Sequence, residues 1–410
     1  MKVVYPGSDF PGHVSYQQKV RESNIKHVFD LVRSGKCTSR SELARALNLS
    51  ATSASALVET LTNMGLVMES GPQRSIQPGR KPISLRFNNS ARQLAMFDVT
   101  SRQVRFALMN LGCRVIESYA CPMREIDLNA HDTGERFVRV FEDILENHSQ
   151  IFDPERLLAV GISFPGHYSP SQCTFAMDIA MNICVEEASL QRFARRLGVP
   201  VCFGNVTMCR AYAQKKYLDA IHPEDAETKN LLYVDIGANV GGAVIADGQI
   251  DIGPSGIGGE IGHMSIDCNG LPCACGSRGC LERYVNLNAL LDRAREACAA
   301  GGETPPEDFA ALAASWTQSP TLTGVVEACA NELAAGIFNL FCATGISRVI
   351  VGGGIEALGP LFLSTLYKAL TRRTLLADSL QISFAAANPN AESAGLAHYF
   401  MDWMMVVLGN

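Results

Sequence analysis

The chain has 410 residues, 47% apolar and 19% charged, with a formal net charge of -6. That length exceeds what one hydrophobic core usually fills, so two or three domains of a soluble globular protein are expected. The first residues, MKVVYPGSDFPGH, lack the apolar run of a signal peptide, and no stretch approaches eighteen uncharged apolar residues. Neither secretion nor membrane spanning is expected on that reading, and a cytoplasmic location is. There the fourteen cysteines stay reduced, most of them as core fillers.

Charge is unevenly spread. Residues 1–86 carry twelve Lys plus Arg against six Asp plus Glu, which leaves the remainder strongly acidic. A basic first fifth on an acidic body suits a nucleic-acid-binding module joined to a ligand-binding body.

Residues 1–18 mix Pro, Gly, Ser and aromatic residues and read as a loosely ordered arm. A helix opens near Ser23, with Ile25, Val28, Phe29, Leu31 and Val32 on one face, and stops at Gly35. Ser39 with Glu42 three residues on forms a capping box for a second helix. Asn48 and Leu49 make a tight turn, and Ser50 caps a third helix carrying Ala54, Leu57, Val58 and Leu61. A strand at 66–69 and the basic loop GPQRSIQPGRKP complete the pattern of an N-terminal winged helix-turn-helix over residues 19–88. In such a motif the third helix enters the major groove by its N-terminal half. Ser50, Thr52, Ser53 and Ser55 then face bases or phosphates, while Arg40 and Arg45 suit phosphates. Arg74, Arg80 and Lys81 in the loop suit a minor groove.

From Gln93 the pattern turns to strands, LAMFDVT, QVRFALMN and CRVIESYA, then a helix at 135–147 and a strand at 157–164. A helix at 189–197, a short strand at 201–203 and a helix from Thr207 follow. Residues 231–248 repeat the opening of the body, a strand with Asp235 where the first copy has Asp98, which implies a duplicated α/β body over 89–410. Its two halves are expected at 89–205 with a C-terminal return and at 206–385.

Between the helices of the second half lies GGEIGHMSIDCNGLPCACGSRGCLER, residues 258–283. His263, Cys273, Cys275 and Cys280 offer the four ligands of a closed, thiolate-rich tetrahedral site, for which a structural zinc ion is the natural occupant. The alternative is a set of ordinary reduced cysteines. Helices follow to Leu333, including the apolar NELAAGIFNLFCATG, then a strand into Gly352, Gly353 and Gly354, a strand at 381–385 and a helix at 393–401.

Taken together, GGEIGHM with CACGSRGCLE, the stretch GISFPG at 161–166, Asn182, Asn205 and the triple glycine at 352–354 resemble the ROK (repressor, open reading frame, kinase) family, in particular its repressor branch. The resemblance spans nearly the whole chain. It implies an actin-like or hexokinase-like ATPase fold in two lobes, a dimer or tetramer, and zinc on His263, Cys273, Cys275 and Cys280. It also implies that Asn205, Glu260, His263 and Glu282 lie at the hydroxyls of a sugar.

The departures bear on activity. Where kinases of the family have a catalytic aspartate after asparagine, this chain has Val206, which cannot accept a proton. After Asp98 stand Val99, Thr100, Ser101 and Arg102 in place of glycines, and Ala238 and Asn239 alter the second loop. The expectation is a DNA-binding repressor that senses a sugar without phosphorylating it. The alternatives are a bifunctional ATP-dependent sugar kinase and a regulator without a sugar ligand, controlled by a protein partner.

Overall fold

The structure, a computed structural model, describes residues 1–6, 16–72, 83–100, 103–122, 133–147, 153–169, 173–177, 184–223, 225–253, 258–373 and 379–404. Arg74, Arg80 and Lys81 of the basic loop, Ser101, Arg102 and Asn182 lie outside the described residues.

The chain opens with strand β1 (Lys2–Val4), then helices α1 (Tyr16–Arg33), α2 (Arg40–Ala46) and α3 (Ala51–Asn63). Helix α1 starts well ahead of the expected Ser23. Its first turns, YQQKVRE, contain neither Gly nor Pro to stop a helix, although the sequence there shows no apolar periodicity. Ser39 caps α2 by accepting from the Glu42 N–H at 3.3 Å, and the Glu42 carboxylate accepts the Thr38 N–H at 2.6 Å. The reciprocal half of the box thus falls one residue early. Asn48 makes the turn into α3 at φ 53°, a left-handed conformation asparagine tolerates. Strands β2 (Val67–Pro72) and β3 (Ile83–Phe87) pair antiparallel, and Phe87 meets the buried Phe29 edge-on at 5.3 Å.

Strands β4 (Gln93–Val99), β5 (Gln103–Asn110) and β6 (Val115–Pro122) form an antiparallel meander. Helix α4 (Thr133–Asn147) then leads to β7 (Leu157–Phe164), parallel to β4. The short strands β8 (Gly166–Ser169), β9 (Thr174–Met177) and β10 (Cys184–Glu186) precede α5 (Glu187–Leu197) and β11 (Val201–Asn205). The sheet runs β1-β11-β7-β4-β5-β6. Phe97 touches Phe106 at 5.3 Å and Phe141 at 4.6 Å, and Phe141 reaches Phe193, so one aromatic cluster joins the sheet to α4 and α5.

The second half repeats this plan. Helix α6 (Val206–Ile221) is followed by β12 (Leu231–Ile236), β13 (Val240–Ala246) and β14 (Gln249–Asp251), again a meander. Helices α7 (Glu282–Val285), α8 (Leu287–Gly301), α9 (Phe309–Ser315) and α10 (Pro320–Thr344) lead to β15 (Arg348–Gly352), parallel to β12. Then come α11 (Gly359–Thr371), β16 (Gln381–Phe384) and α12 (Ala391–Met404). The sheet order β14-β13-β12-β15-β16 repeats β6-β5-β4-β7-β11 strand for strand. Helix α10 is long and apolar enough to cross a bilayer by length and composition alone. Leu322, Val326, Leu333 and Ile337 place it in the core of this half.

The fold expected from the sequence, a winged helix-turn-helix at the N-terminus followed by a separate body, needs correction. Strand β1 precedes the three helices yet belongs to the body's first sheet, with Val3 opposite Cys202. Residues 2–4 are therefore not part of a loose arm. The C-terminal helix belongs with the same layer: Asp402 on α12 accepts from the Arg33 guanidinium at 2.6 Å and, through its carbonyl, from Lys26 Nζ at 2.5 Å. Tyr399 Oη also donates to the Met1 carbonyl at 3.4 Å. One compact unit accordingly holds residues 1–165, 175–204 and 396–410, and the other holds 166–174 and 205–395. The helical layer is built from both chain ends and is not a free-standing leading module.

Asp402→Ala removes a charged acceptor from a largely buried guanidinium, at a cost of about 2 kcal/mol. Urea denaturation should show that loss, with faster amide exchange along α1; unchanged exchange there would show that Asp402 does not anchor α1.

Candidate functional site

The segment 258–283 owes its path to glycines that let backbone touch backbone. Gly259 accepts the Gly242 N–H at 2.9 Å and has φ 102°, and a Cβ there would stand 2.4 Å from the Gly242 carbonyl oxygen. A Cβ at Gly262 would meet the Val240 oxygen at 2.2 Å. The loop thus lies flat on β13, with Ile261 packed over Gly242. Beyond it, Ser265 bridges to Cys280 and Pro272 to Arg278. The Cys273 N–H donates to Ser277 O at 2.9 Å, and Gly276 N–H to Cys273 O at 3.0 Å, closing a tight turn around Cys275. Leu281, next to Cys280, is buried where Gly336 leaves a notch in α10.

This path gathers the four residues that the sequence singled out. The ligand atoms of His263, Cys273, Cys275 and Cys280 lie within 4.8 Å of one another. Cys273 Sγ is 3.7 Å from His263 Nδ1, and Cys275 Sγ is 3.6 Å from Cys280 Sγ. Tetrahedral ligands on bonds of about 2.0 to 2.3 Å stand roughly 3.5 to 3.8 Å apart, so the set fits a metal ion. Nδ1 faces the thiols, which turns Nε2 to the other side of the ring. The thiols differ in acidity. The hydrogen bond from the Ser277 backbone, followed by that from Cys273, lowers Cys275, whereas burial followed by the Cys275 and Cys273 thiols pushes Cys280 up to about 12.

The four residues that the resemblance assigned to a sugar are placed differently from one another. Glu260 is exposed and caps no helix with its side chain. His263 belongs to the metal-ligand set. Glu282 Oε2 accepts the Val240 N–H at 2.9 Å, tying the cysteine segment to β13. Asn205 is the N-cap of α6: its Oδ1 accepts from Thr207 N at 2.7 Å and Met208 N at 3.4 Å, and its Nδ2 donates to Gly166 O at 2.6 Å. Capping was legible in the residue type and the helix start that follows it. Val206 is the first residue of α6.

Sequence reasoning missed a network one turn further along α6. Arg210 Nη1 donates to Asp235 Oδ2 at 2.8 Å, and Nε and Nη2 donate to Glu392 Oε1 at 2.8 and 2.6 Å. Tyr233 Oη donates to Asp235 Oδ1 at 3.3 Å, and Thr207 Oγ1 to Oδ2 at 3.4 Å. Burial raises Asp235 above the usual carboxylate range, an effect that Arg210 opposes. Burial works against the charge on Arg210, yet Asp235 and Glu392 outweigh it and hold the guanidinium above its ordinary value. The three residues are 25 and 157 positions apart in sequence, counted from Asp235 to Arg210 and to Glu392, so no local pattern could have joined them. In the other half Asp98 is buried and accepts from Ser163 Oγ at 2.8 Å.

Among the nucleic-acid candidates, Ser50 caps α3, its Oγ accepting the Ser53 N–H at 3.0 Å and lying 2.8 Å from the Ser53 hydroxyl. Thr52 is exposed and Ser55 half-buried. Arg40 is paired with Glu69, while the exposed Arg45 donates from Nε to Ser41 O on its own helix.

A sequence model of the ROK family matches residues 121–400. Over 397 residues the chain is 26% identical to the xylose repressor of Bacillus subtilis strain 168, covering 95% of this chain and 97% of that one. It is 28% identical over 214 residues to the N-acetylmannosamine kinase of Vibrio cholerae serotype O1, covering 52% of this chain and 70% of the kinase. Among solved structures, a ROK family transcriptional regulator described as a homologue of the E. coli MLC protein gives a TM-score of 0.79 at 22% identity, over 95% of this chain and 97% of its own. A ROK family glucokinase from Streptomyces griseus in complex with glucose and AMPPNP gives 0.58 at 21% identity, over 75% and 98%. With the family model matched over more than half of its length, the chain belongs to the ROK family.

Proposed function

We propose that this chain is a DNA-binding transcriptional regulator, a repressor, whose second unit binds a sugar or sugar derivative without phosphorylating it. The observation that carries the reading is the helix pair α2–α3, which presents the exposed Thr52 on the first turn of α3, in a chain whose remainder has the fold of ROK sugar kinases. The repressor of Bacillus subtilis aligns over nearly all of the chain, and the kinase of Vibrio cholerae over about half. Val206, a residue without a proton acceptor, follows Asn205 and supports the loss of phosphoryl transfer. Contacts to DNA fall to Arg45, Thr52 and Ser55, with Arg74, Arg80 and Lys81 proposed from their charge. Ser50 acts as the cap that shapes the start of α3 with Ser53 as its partner, and Arg40 holds β2.

The metal is zinc, held by His263, Cys273, Cys275 and Cys280. Four protein ligands close the tetrahedron, so its role is structural: it folds a segment with little apolar content of its own. Glu260 and the Nε2 side of His263 are offered to sugar hydroxyls, while Glu282 and Asn205 position the backbone around them. Sugar binding shifts the equilibrium between forms with different operator affinity in a dimer or tetramer. A second reading, a regulator controlled by a protein partner with no sugar bound, is favoured by the commitment of Asn205 and Glu282 to backbone partners. Calorimetry with a panel of hexoses, pentoses and N-acetylhexosamines decides between them: binding at millimolar affinity or tighter supports the sugar, and none across the panel supports the partner. Phosphorylation of any of these sugars with ATP would overturn the regulator-only reading.

Cys275→Ser should lower bound zinc from about one ion per chain to near zero by metal analysis, together with the melting temperature. Full zinc content in that variant contradicts the ligand set. Thr52→Ala should weaken operator binding by about 1 kcal/mol at unchanged thermal stability. Arg45→Ala should weaken it across all sequences and reduce the slope of log K against log salt by about 1; an unchanged isotherm removes Arg45 from the interface.

A further inference from the structure

The cluster at the end of β12 has no part in the zinc segment or in the sugar contacts proposed above. Its oxygen atoms, Asp235 Oδ2, Glu392 Oε1 and Thr207 Oγ1, come from a strand end and two helices. Two carboxylates and a hydroxyl are hard oxygen donors, the chemistry that holds Mg2+ or Mn2+ together with the phosphates of a nucleotide. Here an arginine stands among them. Arg210 spans both acids with three N–H groups at 2.6 to 2.8 Å. The acids are poorly hydrated, with side chains 9% and 15% exposed, so without an internal cation they would face each other unscreened. Tyr233 takes the second oxygen of Asp235, leaving that carboxylate no oxygen without a protein partner.

We propose that Arg210 is a resident cation that determines ligand class: it permanently occupies Asp235 and Glu392, so the end of β12 takes no divalent metal and no metal-bound phosphate. The inference deepens the reading of the second unit as a sugar sensor without kinase activity, and rests on it. It locates the loss at a second place, independent of Val206. Arg210 is a positioning residue; the sugar itself is met elsewhere, at Glu260 and His263.

The test is divalent-ion response in the zinc-loaded 410-residue chain. Melting temperatures of the wild type, Arg210→Met and the double variant Arg210→Met with Asp235→Asn are compared with and without millimolar Mn2+. Removing the guanidinium leaves two acids for which Mn2+ is the replacement cation, so Arg210→Met should be destabilised and then restored by Mn2+ by about 5 °C. The wild type should move by less than about 1 °C, and the double variant, lacking one acid, should not respond. An Arg210→Met protein that is indifferent to Mn2+, or that stays unfolded in its presence, overturns the proposal and leaves a purely structural ion pair. An equal response in the wild type overturns it as well. These outcomes leave sugar and operator binding by the wild type untouched, whereas ATP-dependent phosphorylation by the wild type would overturn the sensor reading itself.

Discussion

The second half of the molecule depends on how closely the loop 258–264 lies on β13. Three glycines allow it. At Gly242, Gly259 and Gly262 any side chain would collide with atoms it now touches, including two backbone carbonyl oxygens. Only in that position does His263 arrive beside the cysteines of a turn that begins ten residues later, at Cys273. The metal-ligand set is thus a consequence of backbone packing first and of ligand chemistry second.

The same loop connects the set to the rest of its unit. Val240 is held from both sides: Gly262 lies against its carbonyl, and Glu282 accepts its N–H. Leu281 enters α10 through the notch at Gly336, one residue from Cys280. A shift of this loop would be felt at β13 and α10, and so at the sheet that carries Asp235. The segment that gathers the four His and Cys side chains also bears Glu260.

The two sheets have the same strand order, and each carries an aspartate at the end of its first long strand, but neither aspartate is left open. Asp98 is bonded to Ser163 and Asp235 to Arg210. Helices α1 and α12, joined through Arg33, Lys26 and Asp402, show the same economy at the chain ends: polar groups that would otherwise need water find each other.

Much was determined by sequence alone. The caps at Ser39 and Ser50, the helix at α10, the duplicated meanders around Asp98 and Asp235, and the clustering of His263, Cys273, Cys275 and Cys280 all depend on residues close in the chain, where spacing is itself geometry. What the sequence did not disclose is non-local. The pairing of residues 2–4 with β11, the docking of α1 on α12, the hydrogen bond from Val240 to Glu282 and the Arg210 bridge between Asp235 and Glu392 involve partners up to 376 positions apart. Hydrophobic periodicity and motif spacing report which face of an element is buried, but not which distant group completes a hydrogen bond. Only the tertiary structure decided that, because the cost of burying an unpaired charge is settled by whatever partner the fold brings within reach.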